Sequence, residues 1–100
     1  MSREKQLLIY LKSVCLGRSH CVSGKELSRT LNLTGTDLRK YVNHLRQQRN
    51  PIASSQNGYF YAETAGEVYV TIQNLKKMQA GLDAAVQGLE QSLDSFPKGR

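Results

Sequence analysis

The chain has 100 residues and 39% hydrophobic residues, which suits one small domain with an extended appendage and only a modest core. Its opening does not read as a signal peptide, and it has no apolar run of about 18 residues, so we expect a cytoplasmic protein with no membrane partner. The net charge of +6 is uneven, because residues 1–62 hold ten Lys and Arg against three Asp and Glu, whereas residues 63–100 hold four against five. A basic front half indicates a polyanionic partner.

The first two predicted helices are short and amphipathic. Helix one covers residues 3–15 and ends near Gly17, and its apolar face consists of Leu7, Leu8, Leu11, Val14 and Cys15. Residues 20–22 fit either a loop or a small edge strand. Ser23 and Glu26 form a capping box for helix two, over about residues 24–31, with Leu27 and Leu31 facing inward.

Helix three, predicted over residues 33–49, is the element around which the rest of the predicted fold is organised. Thr34 caps its start, Asp37 lies in its first turn, and Leu38, Val42 and Leu45 form one apolar face. Its other faces are polar and cationic, which suits phosphates and base edges in a major groove, although a solvated helix face has the same composition. A short helix, a turn and a longer cationic helix form the helix-turn-helix arrangement.

Helix three ends at Asn50-Pro51, because proline disfavours a helical conformation of the residue before it, and a β-hairpin follows. Asn57-Gly58 predicts a two-residue type I′ loop. This loop pairs Gln56 with Tyr59, Ser55 with Phe60 and Ser54 with Tyr61. The polar tip either reaches DNA or is a plain solvated turn.

The passage SGKELSRTLNLTGTDLRKYVNHLRQQRNPIASSQNGYFYA resembles a winged helix-turn-helix DNA-binding domain. It is similar to the amino-terminal domain of biotin-operon repressors and, more closely, to small prophage-type bacterial regulators. The resemblance covers about residues 3–62 and implies sequence-specific binding of double-stranded DNA and control of transcription or of a phage genome. The short wing lacks a basic tip, which departs from that pattern.

We therefore expect a set of DNA-contacting residues on helices two and three and on the hairpin. Arg39, Lys40 and Arg46, with Lys25 or Arg29, contact phosphates, and Thr36, Lys40 and Asn43 point toward base edges. The full predicted set is Lys25, Arg29, Thr34, Thr36, Arg39, Lys40, Asn43, His44, Arg46, Ser55 and Asn57.

The tail, residues 63–96, is predicted to be one long coiled-coil helix that joins two copies of the chain. Thr64 and Glu67 form a capping box at its start. A heptad pattern places Val68, Leu75, Leu82, Leu89 and Phe96 at d, and Ile72, Gln79, Val86 and Leu93 at a. We expect a homodimer; parallel pairing lets Gln79 face its twin, whereas antiparallel pairing and a tetramer stay open. Residues 97–100 are expected to form a disordered end.

The predicted fold class is mainly α with a small β-hairpin: a winged helix-turn-helix followed by a long C-terminal coiled-coil helix. Two other functional classes fit the sequence less well than DNA binding. A protein–protein adaptor is disfavoured by the basic front half, and an enzyme by the lack of a recognisable catalytic set. Cys15 and Cys21 have no zinc-type partners and are expected as reduced thiols, so no metal or cofactor is predicted.

Overall fold

The computed structural model describes residues 2–96 and is mainly helical, with one two-stranded antiparallel hairpin and a long C-terminal helix. The regular elements are α1 (Arg3–Val14), α2 (Gly24–Leu31), α3 (Gly35–Gln47), β1 (Ile52–Ser55), β2 (Gly58–Tyr61) and α4 (Ala65–Ser92). Short 3-10 turns cover Arg18–His20 and Leu93–Ser95. Within residues 2–96, no helix combines the length and the apolar character needed to cross a membrane. The predicted disordered end at 97–100 lies outside the described residues.

The predicted N-caps are confirmed by hydrogen bonds, but the capping box predicted for α2 lacks its second bond, from the Ser23 backbone to the Glu26 side chain. The Ser23 hydroxyl accepts from the Glu26 backbone N–H at 3.1 Å, and the Thr34 hydroxyl accepts from that of Asp37 at 3.0 Å. Thr64 forms a full capping box with Glu67 at the start of α4. Each cap satisfies an amide that the first helical turn leaves free, so the start of each helix is set locally by the sequence.

The predicted third helix is two residues too long at each end. At its C-terminus, Asn50 folds back so that its backbone N–H and its side-chain amide both donate to the Leu45 carbonyl, at 3.1 and 3.0 Å. Arg49 adopts a φ of 73°, which lies in the left-handed region. These contacts satisfy the last carbonyls of α3 and turn the chain toward Pro51.

The core lies between α1, α2, α3 and the hairpin. Its buried residues are Leu7, Leu11, Cys15, Leu27, Leu33, Leu38, Val42, Leu45, Ile52, Ala53, Phe60 and Ala62. The predicted apolar face of α3 is confirmed. The prediction for α1 is wrong at Val14, which is 49% exposed although Leu11 and Cys15 on either side of it are fully buried.

The hairpin exists as predicted, but the predicted register is wrong. The observed pairs are Ile52 with Tyr61, Ala53 with Phe60, Ser54 with Tyr59 and Ser55 with Gly58. The turn is therefore Gln56-Asn57, and Gly58 is the first residue of β2. Since the shift is two residues, each side chain keeps its expected face of the hairpin.

Gly58 explains the register. Its φ is 139°, and a Cβ atom there would overlap the backbone carbonyl of Val22. Val22 and Tyr59 exchange two backbone hydrogen bonds of 2.9 Å, so residue 22 acts as a one-residue edge strand beside β2. The glycine is needed for this close approach rather than for the predicted type I′ turn.

The outer edge of β1 is covered by side chains from two helices. Arg46 of α3 donates from Nε to the Ile52 carbonyl at 2.8 Å. Thr71 of α4 accepts from the Ser54 backbone N–H at 3.1 Å, and its hydroxyl lies 3.4 Å from the Ser54 carbonyl. These contacts satisfy backbone groups that an edge strand otherwise leaves open to a second strand.

The tail helix packs against the rest of the molecule only through its first turns. Val68 is half-buried and Thr71 is 4% exposed, whereas every described residue after Thr71 is exposed. The predicted helix to residue 96 is too long, because Leu93 lies in a 3-10 turn and Phe96 is extended. The Ser92 and Ser95 hydroxyls donate to carbonyls three residues back at 2.6 Å, an interaction that competes with a regular helix end.

Candidate nucleic-acid interface

The outer face of α3 presents a single stripe of polar side chains. Its members recur at spacings of four, three and four: Thr36, Lys40, Asn43 and Gln47. All four are exposed, and the helical period places them opposite the buried Leu38, Val42 and Leu45. The stripe can therefore enter a groove while the other face of α3 remains packed in the core.

Further cations flank this stripe on the side of α2. A groove of about 450 Å³ runs between α2, the start of α3 and Tyr59, and Lys25 and Arg39 both line it. Arg29 is also exposed on α2. The structure thus brings Lys25 and Arg39 together on one surface beside Lys40, where they can approach the backbone of a polyanion that lies against α3.

Arg46 is placed differently from the other predicted cations. Its guanidinium is directed toward β1, where Nε donates to the Ile52 carbonyl and a terminal nitrogen lies 3.3 Å from the Ser54 hydroxyl. Burial lowers the pKa of the Arg46 guanidinium below its ordinary value. The side chain therefore connects α3 to the hairpin in this structure.

Two other predicted contacts have internal partners. His44 lies on the α1 side of α3, with Nδ1 2.5 Å from the Glu4 carboxylate. Thr34 caps α3 with its hydroxyl. Both side chains therefore have a partner within the chain, although the His44 side chain remains 54% exposed.

The hairpin tip lies near the start of α2. Ser55 accepts from the Asn57 backbone N–H at 3.2 Å, which orders the turn, while Gln56 and Asn57 are exposed. A small groove of about 320 Å³ separates the tip from Ser23 and Gly24. The tip thus offers amide groups, but no positive charge, on the same side as α2.

The predicted seam of the tail is a strip of exposed apolar side chains. Ile72 and Leu75, near the domain, are 40% and 38% exposed, whereas Leu82, Val86 and Leu89 are 67%, 54% and 70% exposed. Gln79 and Leu93 are also exposed, and Val68 alone packs against the core. The single chain leaves this strip without cover.

The predicted set of DNA-contacting residues omits three residues that the structure makes prominent. Gln47 completes the α3 stripe, and its spacing from Asn43 was a usable signal. Gln56 lies in the turn itself, between the paired residues Ser55 and Gly58. Thr71 is a buried polar residue whose hydroxyl joins α4 to β1, and no local pattern marks it.

Among residues 2–96 there is no cluster of three or more His, Cys, Asp or Glu side chains fit to hold a metal ion. Cys15 and Cys21 are free thiols, and burial raises the pKa of the Cys15 thiol. In comparisons with known proteins, no family model, curated protein or solved structure matches this chain.

Proposed function

We propose that this chain is a sequence-specific duplex DNA-binding protein of the winged helix-turn-helix class, acting as a homo-oligomeric transcriptional regulator of a bacterium or a prophage. The observation that carries the proposal is the exposed stripe on α3, which lies opposite a fully packed face of the same helix. An α-helix fits the major groove of B-DNA, and the stripe supplies the hydrogen-bonding groups that base edges require.

Each side chain of the stripe has a natural counterpart on DNA. Asn43 and Gln47 carry amides that pair bidentately with adenine, Lys40 suits guanine, and the Thr36 methyl suits thymine. Lys25, Arg29 and Arg39 beside the stripe supply positive charge for phosphates. In this arrangement α2 crosses the DNA backbone and the hairpin acts as a short wing with only amide contacts.

The first test is the salt dependence of binding. The purified full-length chain is used to select binding sites from random duplexes, and the affinity for the selected site is measured between about 50 and 200 mM salt. Phosphate contacts from Lys25, Arg29 and Arg39 predict that the logarithm of the binding constant falls with the logarithm of the salt concentration. The expected slope is about −2.7 for each head, which is the domain formed by residues 2–62 of one copy. Arg39→Ala should make the slope less steep by about 0.9, whereas Lys77→Ala, on the exposed tail, should leave it unchanged. An affinity that does not change over this range of salt contradicts the proposal.

The second test concerns sequence reading. Asn43→Ala should reduce discrimination at one base pair by about 1–3 kcal/mol while nonspecific affinity stays close to that of the wild type. Asn74→Ala is the matched control, because Asn74 is also an exposed helical asparagine but lies on α4. If Asn43→Ala weakens all sequences equally, Asn43 positions the helix and does not read a base.

A further inference from the structure

The strip of exposed apolar side chains on α4 has no cover within the single chain, and an apolar partner would bury it. Leu82, Val86 and Leu89 are each more than half exposed and recur at the spacing of one helix face. A contiguous apolar strip of this kind marks an interaction surface rather than ordinary solvent exposure. The charges along α4 and around the groove at its start indicate which molecule covers the strip.

Charge is unevenly distributed along the tail. Residues 63–77 hold two acidic residues, Glu63 and Glu67, and two lysines, Lys76 and Lys77. Between residues 78 and 96 there are three acidic residues and no Lys or Arg: Asp83, Glu90 and Asp94. At the head end, a groove of about 320 Å³ is lined by apolar atoms of Pro51, Ile72 and Leu75 and by two arginines, Arg46 and Arg49. An acidic, leucine-rich helix end complements this groove, and the far end of α4 in a second copy has that chemistry.

We propose that α4 pairs with α4 of a second copy in an antiparallel, two-stranded coiled coil whose two-fold axis passes between Ala80 and Gly81. In this register every a residue lies opposite a d residue of the other copy. The layers are Ile72 with Leu89, Leu75 with Val86 and Gln79 with Leu82, each occurring twice. All of them fall inside the regular helix Ala65–Ser92. The same patch is used on both copies, as a closed dimer requires.

Gln79, the polar residue of the seam, selects this register. It lies next to the two-fold axis, so the Gln79 side chains of the two copies occupy neighbouring layers and their amides can hydrogen-bond to each other. Moving the axis by half a heptad to Ala84 would place Gln79 opposite Leu89, far from its twin. A buried amide without a partner is costly, so the register centred at Ala80-Gly81 is favoured.

The residues that flank the seam agree with this choice. Lys76 lies beside Asp83 of the second copy on one side, and Met78 lies beside Ala85 on the other, which extends the apolar contact. With the axis at Ala84, Lys76 would lie beside Glu90 instead, but Asp83 would face Asp83 of the second copy, and these like charges repel. A parallel dimer would place Lys76 beside Thr71, without an ion pair, and would bring two arginine-lined grooves to the same end.

Antiparallel pairing also sets the spacing of the heads. Val68 of the second copy lies level with Leu93, which corresponds to a separation of about 38 Å between the two heads along the helix axis. This distance is close to one turn of B-DNA, roughly 34–36 Å, the usual spacing of two half-sites. If the proposed DNA binding holds, on which this step rests, the operator is an inverted repeat with half-site centres about one turn apart.

The test is sedimentation equilibrium of the full-length chain without DNA. The wild type should be a dimer at tens of micromolar. Lys76→Glu and Asp83→Lys should each weaken dimerisation about tenfold, because two symmetric pairs become repulsive. The double variant should return to within about twofold of the wild type, since it restores both pairs with reversed polarity. Lys77→Glu makes the same charge change on the outer face of the helix and is the matched control, with little expected effect.

Several outcomes overturn the proposal. They are a wild-type monomer or tetramer, a double variant as weak as the single variants, or an equal loss in Lys77→Glu. Rescue of Lys76→Glu by Glu90→Lys rather than by Asp83→Lys overturns the register. Because no DNA is present, these results do not depend on whether the head binds DNA, and a failed salt titration leaves them unaffected.

Discussion

Arg46 can either hold the hairpin against α3 or contact a phosphate of DNA, and the sequence alone does not distinguish these two roles. Replacing Arg46 by methionine tests which of them it has. Methionine keeps the apolar part of the side chain and removes the guanidinium, so Ile52 loses the donor that lies 2.8 Å from its carbonyl. A hydrogen bond from a charged donor contributes about 1.5–3 kcal/mol, and the contact with Ser54, at 3.3 Å, adds little. Partial burial of the charge, which lowers the pKa of Arg46, offsets part of this gain. We expect Arg46→Met to reduce the free energy of unfolding by about 2 kcal/mol.

Urea unfolding measures this change, and a loss of that size lowers the Tm by roughly 10 °C in a domain of this length. Arg39→Met is the matched control, because Arg39 is an exposed arginine of the same helix, and its effect should stay within about 0.5 kcal/mol. In the salt titration of DNA binding, Arg46→Met should leave the slope unchanged, whereas Arg39→Met should make it less steep by about 0.9. Wild-type stability together with a reduced slope for Arg46→Met would show that Arg46 leaves the hairpin to contact a phosphate.

Two further variants test contacts of α4. Thr71→Val keeps the shape of the side chain but leaves the Ser54 N–H without its acceptor, so urea unfolding should show a loss of about 1–3 kcal/mol, against little change for the exposed control Thr30→Val. Glu67 accepts from the backbone N–H groups of Glu63 and Arg18, which hold the pKa of its carboxyl below the ordinary 4.5. Because the folded-state pKa is lowered, its contribution to stability is present above about pH 4.5 and is lost as the pH falls through the folded value. Glu67→Gln should therefore be less stable than the wild type at pH 7, and urea midpoints at pH 7 and pH 3 should show this gap shrink; an equal gap at both pH values would exclude the carboxylate as its source.

The parts of the fold that follow from local rules could be read from the sequence. Ser23, Thr34 and Thr64 cap their helices because a hydroxyl at that position satisfies free amides of the first turn. The inward face of α3 follows from the helical period of its apolar residues. These features depend on residues within one or two turns of each other, which is the range over which sequence patterns are informative.

The hairpin register depends on a contact that is distant in the chain. Asn57-Gly58 carries the usual signal of a type I′ turn, and the glycine is indeed required. Its requirement comes from the backbone of Val22, which lies against Gly58 and pairs with Tyr59. A turn rule considers only the four residues of the turn, so it assigned the glycine to the loop and not to the strand.

The sequence predicts which residues α3 exposes, but not the direction of each long side chain. Lys40 and Asn43 lie on the outward stripe, as expected from their spacing. Arg46 lies at the border between the buried and the exposed face of α3, where a long side chain can turn either way. Its direction is decided by the Ile52 carbonyl, and that acceptor becomes available only when the hairpin has formed.

The edge of β1 joins α3 to α4 through side-chain contacts that no local sequence pattern indicates. Arg46 reaches this edge from α3, and Thr71 reaches it from α4, so one short strand is held by a side chain from each helix. Because Thr71 contacts both the N–H and the carbonyl of Ser54, α4 has little freedom to rotate about its first turn. In a dimer formed through α4, the direction of that helix then determines where each α3 points. Under the proposed pairing and DNA binding, this strand edge would also fix the relative placement of the two copies of α3 on DNA.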